Sequence, residues 1–88
     1  MKYVMLYETA PGGLKKVPTN LPGHQARLRE FHAQGKLLMA GPFTDAGDGA
    51  MGVFTSREAV EEFIRDDPFI LNGVVGKWAI REWNEVLA

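Results

Sequence analysis

The spacing of apolar residues changes period along this chain of 88 residues, and each change marks a predicted element. An unbroken apolar run from Tyr3 to Tyr7 predicts a strand over residues 2–8, since β-forming residues without a break suit a buried strand. Residues 15–18 are expected to form a loop. A helix then follows, from the entrance Thr19-Asn20-Leu21-Pro22, where a capping side chain is followed by a proline, to Gly35. Its apolar stripe spans about 80° at 100° per residue and consists of Leu21, His24, Leu28 and Phe31.

The second half of the chain alternates between extended and helical patterns. Apolar runs bounded by turn residues predict three strands, over residues 36–41, 50–55 and 75–83. Ser56 caps a second helix, and Pro68 ends it, because proline disfavours helical angles in the residue before it. One further turn is predicted over residues 69–72. The order β-α-β-β-α-β predicts an α+β fold, the ferredoxin-like sandwich with two helices on one face of an antiparallel sheet.

The size of the chain predicts one domain that associates with itself. We expect a single domain over residues 1–88, because so short a chain has no room for a second. Such a domain buries only about 60–65% of its unfolded surface, so its own core is small. The first two strands are apolar at both odd and even positions, although a strand with one solvated face should alternate. A homodimer or larger homo-oligomer packed sheet to sheet is therefore expected, with a monomer as the alternative.

Composition and charge exclude several kinds of partner. The net charge is −1 and Lys15-Lys16 is the only adjacent basic pair, so we expect no nucleic-acid partner. No apolar run approaches the ~20 residues of a membrane span, and the N-terminal apolar run is too short for a signal sequence. With no cysteine there is no disulfide or thiolate chemistry, and a cytoplasmic location is the expectation.

Motifs for metals and cofactors are also absent from the sequence. Residues 45–49 superficially suggest a calcium loop, but the twelfth position counted from Asp45 is Ser56, where a glutamate is required. Residues 44–49 are therefore predicted to form a hairpin turn. The sequence contains neither a zinc-binding HExxH helix nor a glycine-rich phosphate loop, so no metal and no cofactor are expected.

One histidine lies among apolar residues, and it is the strongest candidate for chemistry. His24 falls within the apolar stripe of the first helix, and a carboxylate pair, Asp66-Asp67, stands just before Pro68. An imidazole oriented by a carboxylate can exchange protons near neutral pH. The alternative for His24 is a core histidine hydrogen-bonded to a backbone carbonyl. The alternative for Asp67 is a cap on the turn that begins at Pro68.

Several segments together resemble the YciI-like (YCII-related domain) family. They are His24-Gln25-Ala26-Arg27-Leu28, Gly35-Lys36-Leu37-Leu38-Met39-Ala40-Gly41-Pro42-Phe43, Asp67-Pro68-Phe69 and Gly73-Val74. The resemblance covers nearly the whole chain. It implies a ferredoxin-like protomer in a homodimer of the dimeric α/β-barrel type, and a pocket centred on a catalytic histidine and aspartate. The matching residues are His24 and Asp67.

The walls of that pocket can be assigned from the same segments. In a ferredoxin-like domain the strand end at Pro42 and Phe43 can lie near the start of the first helix, so Pro42, Phe43 and Phe69 are predicted to bind substrate. The alternative is that Pro42 and Phe43 only end the strand. Tyr7 is assigned to the sheet core or a dimer interface. Arg27 and Arg81 are candidates for holding a substrate carboxylate or phenolate, but a place on the solvated surface is the expectation for both.

The leading hypothesis is a small, cofactor-independent enzyme. His24, oriented by Asp67, would take or deliver a proton on a small metabolite, aromatic or hydroxylated, in a lyase, hydrolase or isomerase step. One alternative is a homodimeric module that binds a small ligand or regulates a partner without turnover. Another is a purely structural module, in which replacing His24 by phenylalanine would be tolerated.

Overall fold

A computed structural model describes residues 1–45 and 47–88, and its elements follow the predicted order. They are β1 Lys2–Thr9, α1 Val17–Ala33, β2 Leu37–Pro42, β3 Ala50–Phe54, α2 Arg57–Asp66, α3 Pro68–Leu71 and β4 Val75–Trp83. The predicted turn over residues 44–49 connects β2 to β3, although its residue 46 lies outside the described residues.

The four strands form one antiparallel sheet in the order β2-β3-β1-β4. Strand β1 is central, and its Met5 lies opposite Gly52 of β3 and Ile80 of β4. Each helical connection therefore passes over an intervening strand, β3 in one case and β1 in the other. This topology confirms the predicted ferredoxin-like α+β fold.

The core lies between the helices and the face of the sheet that carries Met5 and Tyr7. Phe63 of α2 is completely buried there, and its ring meets Phe31 of α1 edge to face at a centroid distance of 5.2 Å. Such aromatic pairs add about 0.5–1.5 kcal/mol to the effect of burial alone. The two helices are thus fixed against each other as well as against β1. No helix in the described part of the chain combines the length and apolar character needed to cross a membrane.

Helix α1 begins earlier than the sequence predicts. The expected loop over residues 15–18 is wrong, because a 3-10 turn occupies Gly13–Lys16 and α1 starts at Val17. Pro18 lies in the first turn of the helix, where a missing N–H costs little. The entrance predicted at residues 19–22 therefore lies inside the helix, and the Asn20 side-chain amide donates to the Lys16 carbonyl at 2.8 Å.

The opposite face of the sheet carries apolar side chains that no helix covers. Strand β1 contributes Val4 and Leu6, which pair with Val53 and Met51 of β3. Met39 of β2 pairs with Val53 and is 64% exposed. The first two strands are apolar at both odd and even positions, and the sheet accordingly has two apolar faces. The helices cover one of them.

Candidate active site

Asp67 occupies the junction between α2 and α3, and its side chain is completely buried. Its backbone is extended, with φ −70° and ψ 123°, as expected for a residue that precedes a proline. Its Oδ1 accepts the backbone N–H of Phe69 at 3.2 Å, so it caps α3 as the alternative interpretation expects. The neighbouring Asp66 is exposed. Of the two carboxylates, Asp67 is therefore the one that faces inward.

The second oxygen of Asp67 is bound by Tyr7, for which the sequence predicts only a place in the sheet core or at a dimer interface. Tyr7 of β1 is 3% exposed, and its hydroxyl donates to Asp67 Oδ2 at 2.7 Å. Burial of the phenol, followed by the nearby Asp67 carboxylate, raises the pKa of Tyr7 well above its ordinary value. The sequence feature that indicates this inward position is the spacing of two residues from Met5, which places both side chains on the same face of β1.

His24 extends from α1 to the same carboxylate. Its Nδ1 lies 2.8 Å from Asp67 Oδ1 in a buried contact, so its partner is a carboxylate rather than a backbone carbonyl. Because Asp67 also accepts from the Tyr7 hydroxyl and the Phe69 N–H, its carboxylate is the acceptor and the His24 Nδ1–H is the donor. The ring nitrogen that remains for other contacts is Nε2.

Aromatic contacts hold the imidazole ring of His24 in place. The Phe69 ring stacks on it at a centroid distance of 3.8 Å and an interplanar angle of 4°. The Phe63 ring meets it edge to face at 6.1 Å. With Nδ1 bonded and one ring face covered, the imidazole has a single well-defined orientation.

Arg27 supports the junction that carries Asp67. Its guanidinium donates to the backbone carbonyls of Glu62 and Phe63 at 3.0 and 3.1 Å, in the last turn and a half of α2. It also lies over the rings of Phe31 and Phe63, at 5.0 and 5.4 Å from their centroids. The side chain is half-buried, so the expectation of a solvated surface residue is wrong. It fixes the end of α2 against α1.

A cavity of about 490 Å³ opens beside His24, between α1 and the sheet. His24 and Tyr7 line it, and so do all three predicted wall residues, Pro42, Phe43 and Phe69. Most other lining residues are apolar. No lysine, arginine, aspartate or glutamate lines the cavity within the described part of the chain. The site therefore combines a polar group at one wall with an apolar enclosure, an arrangement typical of small-molecule sites.

Among residues 1–45 and 47–88, no group of three histidine, aspartate or glutamate side chains is placed to hold a metal ion.

Comparison with known proteins places the chain in a family. The family model described as the YCII-related domain matches residues 1–84. The chain belongs to the YCII-related domain family. Protein YciI of Escherichia coli O6:H1 is 32% identical over a match of 97 aligned residues, and the match covers 98% of this chain and 99% of that protein. An uncharacterized Haemophilus influenzae protein is 26% identical over 99 residues, with the same two coverages. The predicted resemblance is thus confirmed.

Solved structures show the same fold for this YCII-related domain. The 5-chloro-2-hydroxyhydroquinone dehydrochlorinase of Burkholderia phenoliruptrix AC1100, in complex with 2,5-dihydroxybenzoquinone, matches with a TM-score of 0.80 and 24% identity. The match covers 96% of this chain and 94% of that one. A Bacteroides thetaiotaomicron protein named as a candidate antibiotic biosynthesis monooxygenase matches with a TM-score of 0.59 and 11% identity, over 99% and 90%. At these identities the likeness is one of fold.

Proposed function

We propose that this protein is a small-molecule enzyme of the acid–base type, with His24 as the proton-transferring group and Asp67 as its orienting partner. The observation that carries the proposal is the 2.8 Å hydrogen bond between His24 Nδ1 and Asp67 Oδ1 at the wall of a cavity. A general base must reach its proton at hydrogen-bond distance, so a ring held at a cavity wall satisfies the first requirement.

The proposed chemistry follows from the tautomer. With Nδ1–H donated to Asp67, the lone pair of Nε2 is free to accept a proton from a bound molecule. The imidazolium that forms is stabilised by the carboxylate at Nδ1 and by the face of the stacked Phe69 ring. The same group can return the proton at another atom, which is the sequence of a lyase, hydrolase or isomerase step. Such a transfer uses the imidazole alone, so the proposal includes no cofactor.

The cavity favours a small, largely apolar substrate that carries a hydroxyl group. Its volume of about 490 Å³ accommodates a single substituted ring, and its apolar lining suits an aromatic one. The hydroxyl would contact Nε2. The dehydrochlorinase of the same fold is named for a chlorinated hydroxyhydroquinone and was solved with a dihydroxybenzoquinone. We extend this class, hydroxylated benzenes and quinones, to the present chain as part of the proposal.

We further propose that the protein functions as a homodimer in the cytoplasm. The dimer would join through the uncovered sheet face, where Met39 is 64% and Met51 38% exposed. Covering these side chains would complete the core that a small domain lacks. Sedimentation equilibrium tests the dimer, and a monomer at all concentrations would contradict it.

The cytoplasmic proposal rests on the absence of cysteine from the sequence.

The test of function is turnover by wild type and by two histidine variants. Hydroxyquinols, hydroquinones and their chlorinated derivatives would be screened by absorbance and by chloride release. For any converted compound, His24→Ala should lower kcat/KM by about 10²–10⁴-fold, since this is the usual contribution of a general acid or base. His32→Ala is the matched control, because His32 is exposed on the same helix and is the only other histidine.

Three outcomes would contradict an enzymatic role. A His24→Ala protein with undiminished turnover would remove the histidine from the chemistry. A wild-type protein that binds these compounds and converts none, with binding lost in His24→Ala, would favour the ligand-binding module. If His24→Phe folds with equal or greater stability and no compound binds, the module is structural.

A further inference from the structure

We infer that Tyr7 is a positioning residue of this site, whose hydroxyl fixes the Asp67 carboxylate and sets how strongly that carboxylate holds the proton of His24. Its significance for catalysis rests on the proposed function. The evidence is the 2.7 Å hydrogen bond from the Tyr7 hydroxyl to Asp67 Oδ2, on the oxygen that His24 does not use.

Three donors bind the two oxygens of the Asp67 carboxylate. Oδ1 accepts the His24 Nδ1–H and the Phe69 backbone N–H, and Oδ2 accepts the Tyr7 hydroxyl. Rotation of the carboxylate would break bonds at both oxygens, and in a buried site no water replaces them. Tyr7 therefore holds the plane in which Oδ1 meets the imidazole.

Tyr7 is well placed for such a role, because its own position is fixed by the sheet. It lies on the central strand β1, opposite Ala50 of β3 and Trp78 of β4, with its ring in the buried core. A hydroxyl carried by a paired central strand is a rigid donor, in contrast to one on a loop. The carboxylate, which lies at a junction between two helices, is thus anchored to the sheet.

The phenol acts only as a donor. Burial and the Asp67 carboxylate both keep Tyr7 protonated, and the Arg27 guanidinium opposes them only as the smallest of the contributions. Tyr7 therefore does not accept or relay protons near neutral pH. The charged groups that act on Tyr7 are Asp67 and Arg27, and Asp67 also binds His24, so the effect of Tyr7 reaches His24 through Asp67.

The sign of this effect follows from hydrogen bonding to the carboxylate. A donor on Oδ2 spreads the negative charge and weakens the attraction of Oδ1 for the proton on Nδ1. Without that donor the carboxylate is more basic, and it stabilises the imidazolium more strongly. In Tyr7→Phe the ring of His24 should therefore stay protonated to higher pH than in the wild type.

The test is an NMR titration of the His24 Cε1–H in the wild type, Tyr7→Phe and Tyr3→Phe. We expect the midpoint to move up by about half to one pH unit in Tyr7→Phe, a size typical of one hydrogen bond to a charged group. Tyr3→Phe is the matched control, because it removes the same hydroxyl from the same strand, and the Tyr3 hydroxyl donates to the Met1 sulfur at 3.9 Å rather than to Asp67. Its midpoint should match the wild type.

A second protein keeps the test decisive if Tyr7→Phe does not fold. The chain has two tyrosines, so in Tyr3→Phe the amino acid 3-fluorotyrosine enters only at position 7. Fluorine makes the phenol a stronger donor, and the His24 midpoint should then move to lower pH, opposite to Tyr7→Phe. Midpoints that stay in place in both proteins, or that move in the same direction, would overturn the inference.

This experiment requires no substrate, so the two hypotheses fail separately. If no compound is converted but the midpoints move as expected, Tyr7 positions Asp67 in a site that is not catalytic. If turnover depends on His24 but the midpoints do not move, the proposed function stands and the role of Tyr7 is wrong. If both hold, the acidic limb of the kcat/KM profile should follow the NMR midpoint in each protein.

Discussion

The two ends of the cavity differ in exposure and in hydrogen bonding. The inner wall consists of His24, Tyr7 and Phe69 with Asp67 behind them, and the rim consists of Leu14 and Phe43. Asp67, Tyr7 and His24 are 0%, 3% and 9% exposed, whereas Leu14 and Phe43 are 53% and 43% exposed. At the inner wall three hydrogen bonds converge on one carboxylate. Hydrogen bonds thus fix the buried wall where the chemistry is proposed, and exposed apolar side chains lie where a ligand would enter.

Removing the carboxylate at the centre of the inner wall should reduce stability the most. Asp67→Ala leaves buried donors on Tyr7 and His24 without an acceptor and uncaps α3. We expect the free energy of unfolding to fall by about 3–5 kcal/mol, as when one partner of a buried pair is removed. Urea denaturation followed by circular dichroism measures it.

Asp66→Ala is the matched control for this prediction. Asp66 precedes Asp67 in the chain and is exposed. Its replacement should change the free energy of unfolding by about 0.5 kcal/mol or less, as is usual for surface positions. Similar losses in the two variants would contradict the contrast between the buried and the exposed carboxylate.

Smaller changes, in kcat and in KM, should distinguish substitutions at the inner wall from substitutions at the rim. Phe69→Leu removes the ring stacked on His24, so the imidazole gains freedom and kcat should fall by about tenfold. Phe43→Leu changes only the half-exposed rim, so KM should rise by about two- to threefold with kcat unchanged. Steady-state kinetics on a converted substrate distinguishes them. The interpretation of the two ends would be wrong if Phe43→Leu lowered kcat and Phe69→Leu did not.

The smallest effect concerns the alkaline limit of stability. The pKa of Tyr7 is raised in the folded protein, so the unfolded chain alone loses this proton above about pH 10. The contribution of Tyr7 is therefore fully present below that pH and declines as the pH rises, by up to about 1.4 kcal/mol per pH unit.

Tyr3→Phe and the double variant Tyr3→Phe/Tyr7→Phe isolate this contribution, because all other titrating groups are shared. Unfolding in urea at pH 9, 10 and 11 gives the slope in each protein. The double variant should show the shallower decline, and equal slopes would count against a buried, hydrogen-bonded Tyr7.

Periodicity alone was enough to predict the order of the elements. Hydrophobic spacing separates strand from helix well, and Ser56 caps α2 as expected, with its hydroxyl oxygen accepting the Ala59 N–H at 3.1 Å. The start of α1 was harder to predict. Pro18 is equally compatible with a loop and with the first turn of a helix, and only packing decides between them.

About half of the site could be predicted from the sequence. His24 stood out because a titratable ring interrupts an apolar stripe, and Asp67 because it precedes a proline. Tyr7 did not stand out, since a tyrosine in an apolar strand looks the same whether its hydroxyl reaches solvent or a carboxylate 60 positions away. Arg27 was also misjudged, because the backbone carbonyls it binds belong to another helix.

The tautomer of His24 is the most direct test of the hydrogen bond on which the proposed function depends. Long-range ¹H–¹⁵N correlation NMR of the imidazole, at a pH above its titration, reports which ring nitrogen carries the proton. The bond to Asp67 predicts that Nδ1 is protonated and that Nε2 is the bare nitrogen that faces a ligand. A spectrum with the proton on Nε2 would contradict the bond and remove the base from the cavity.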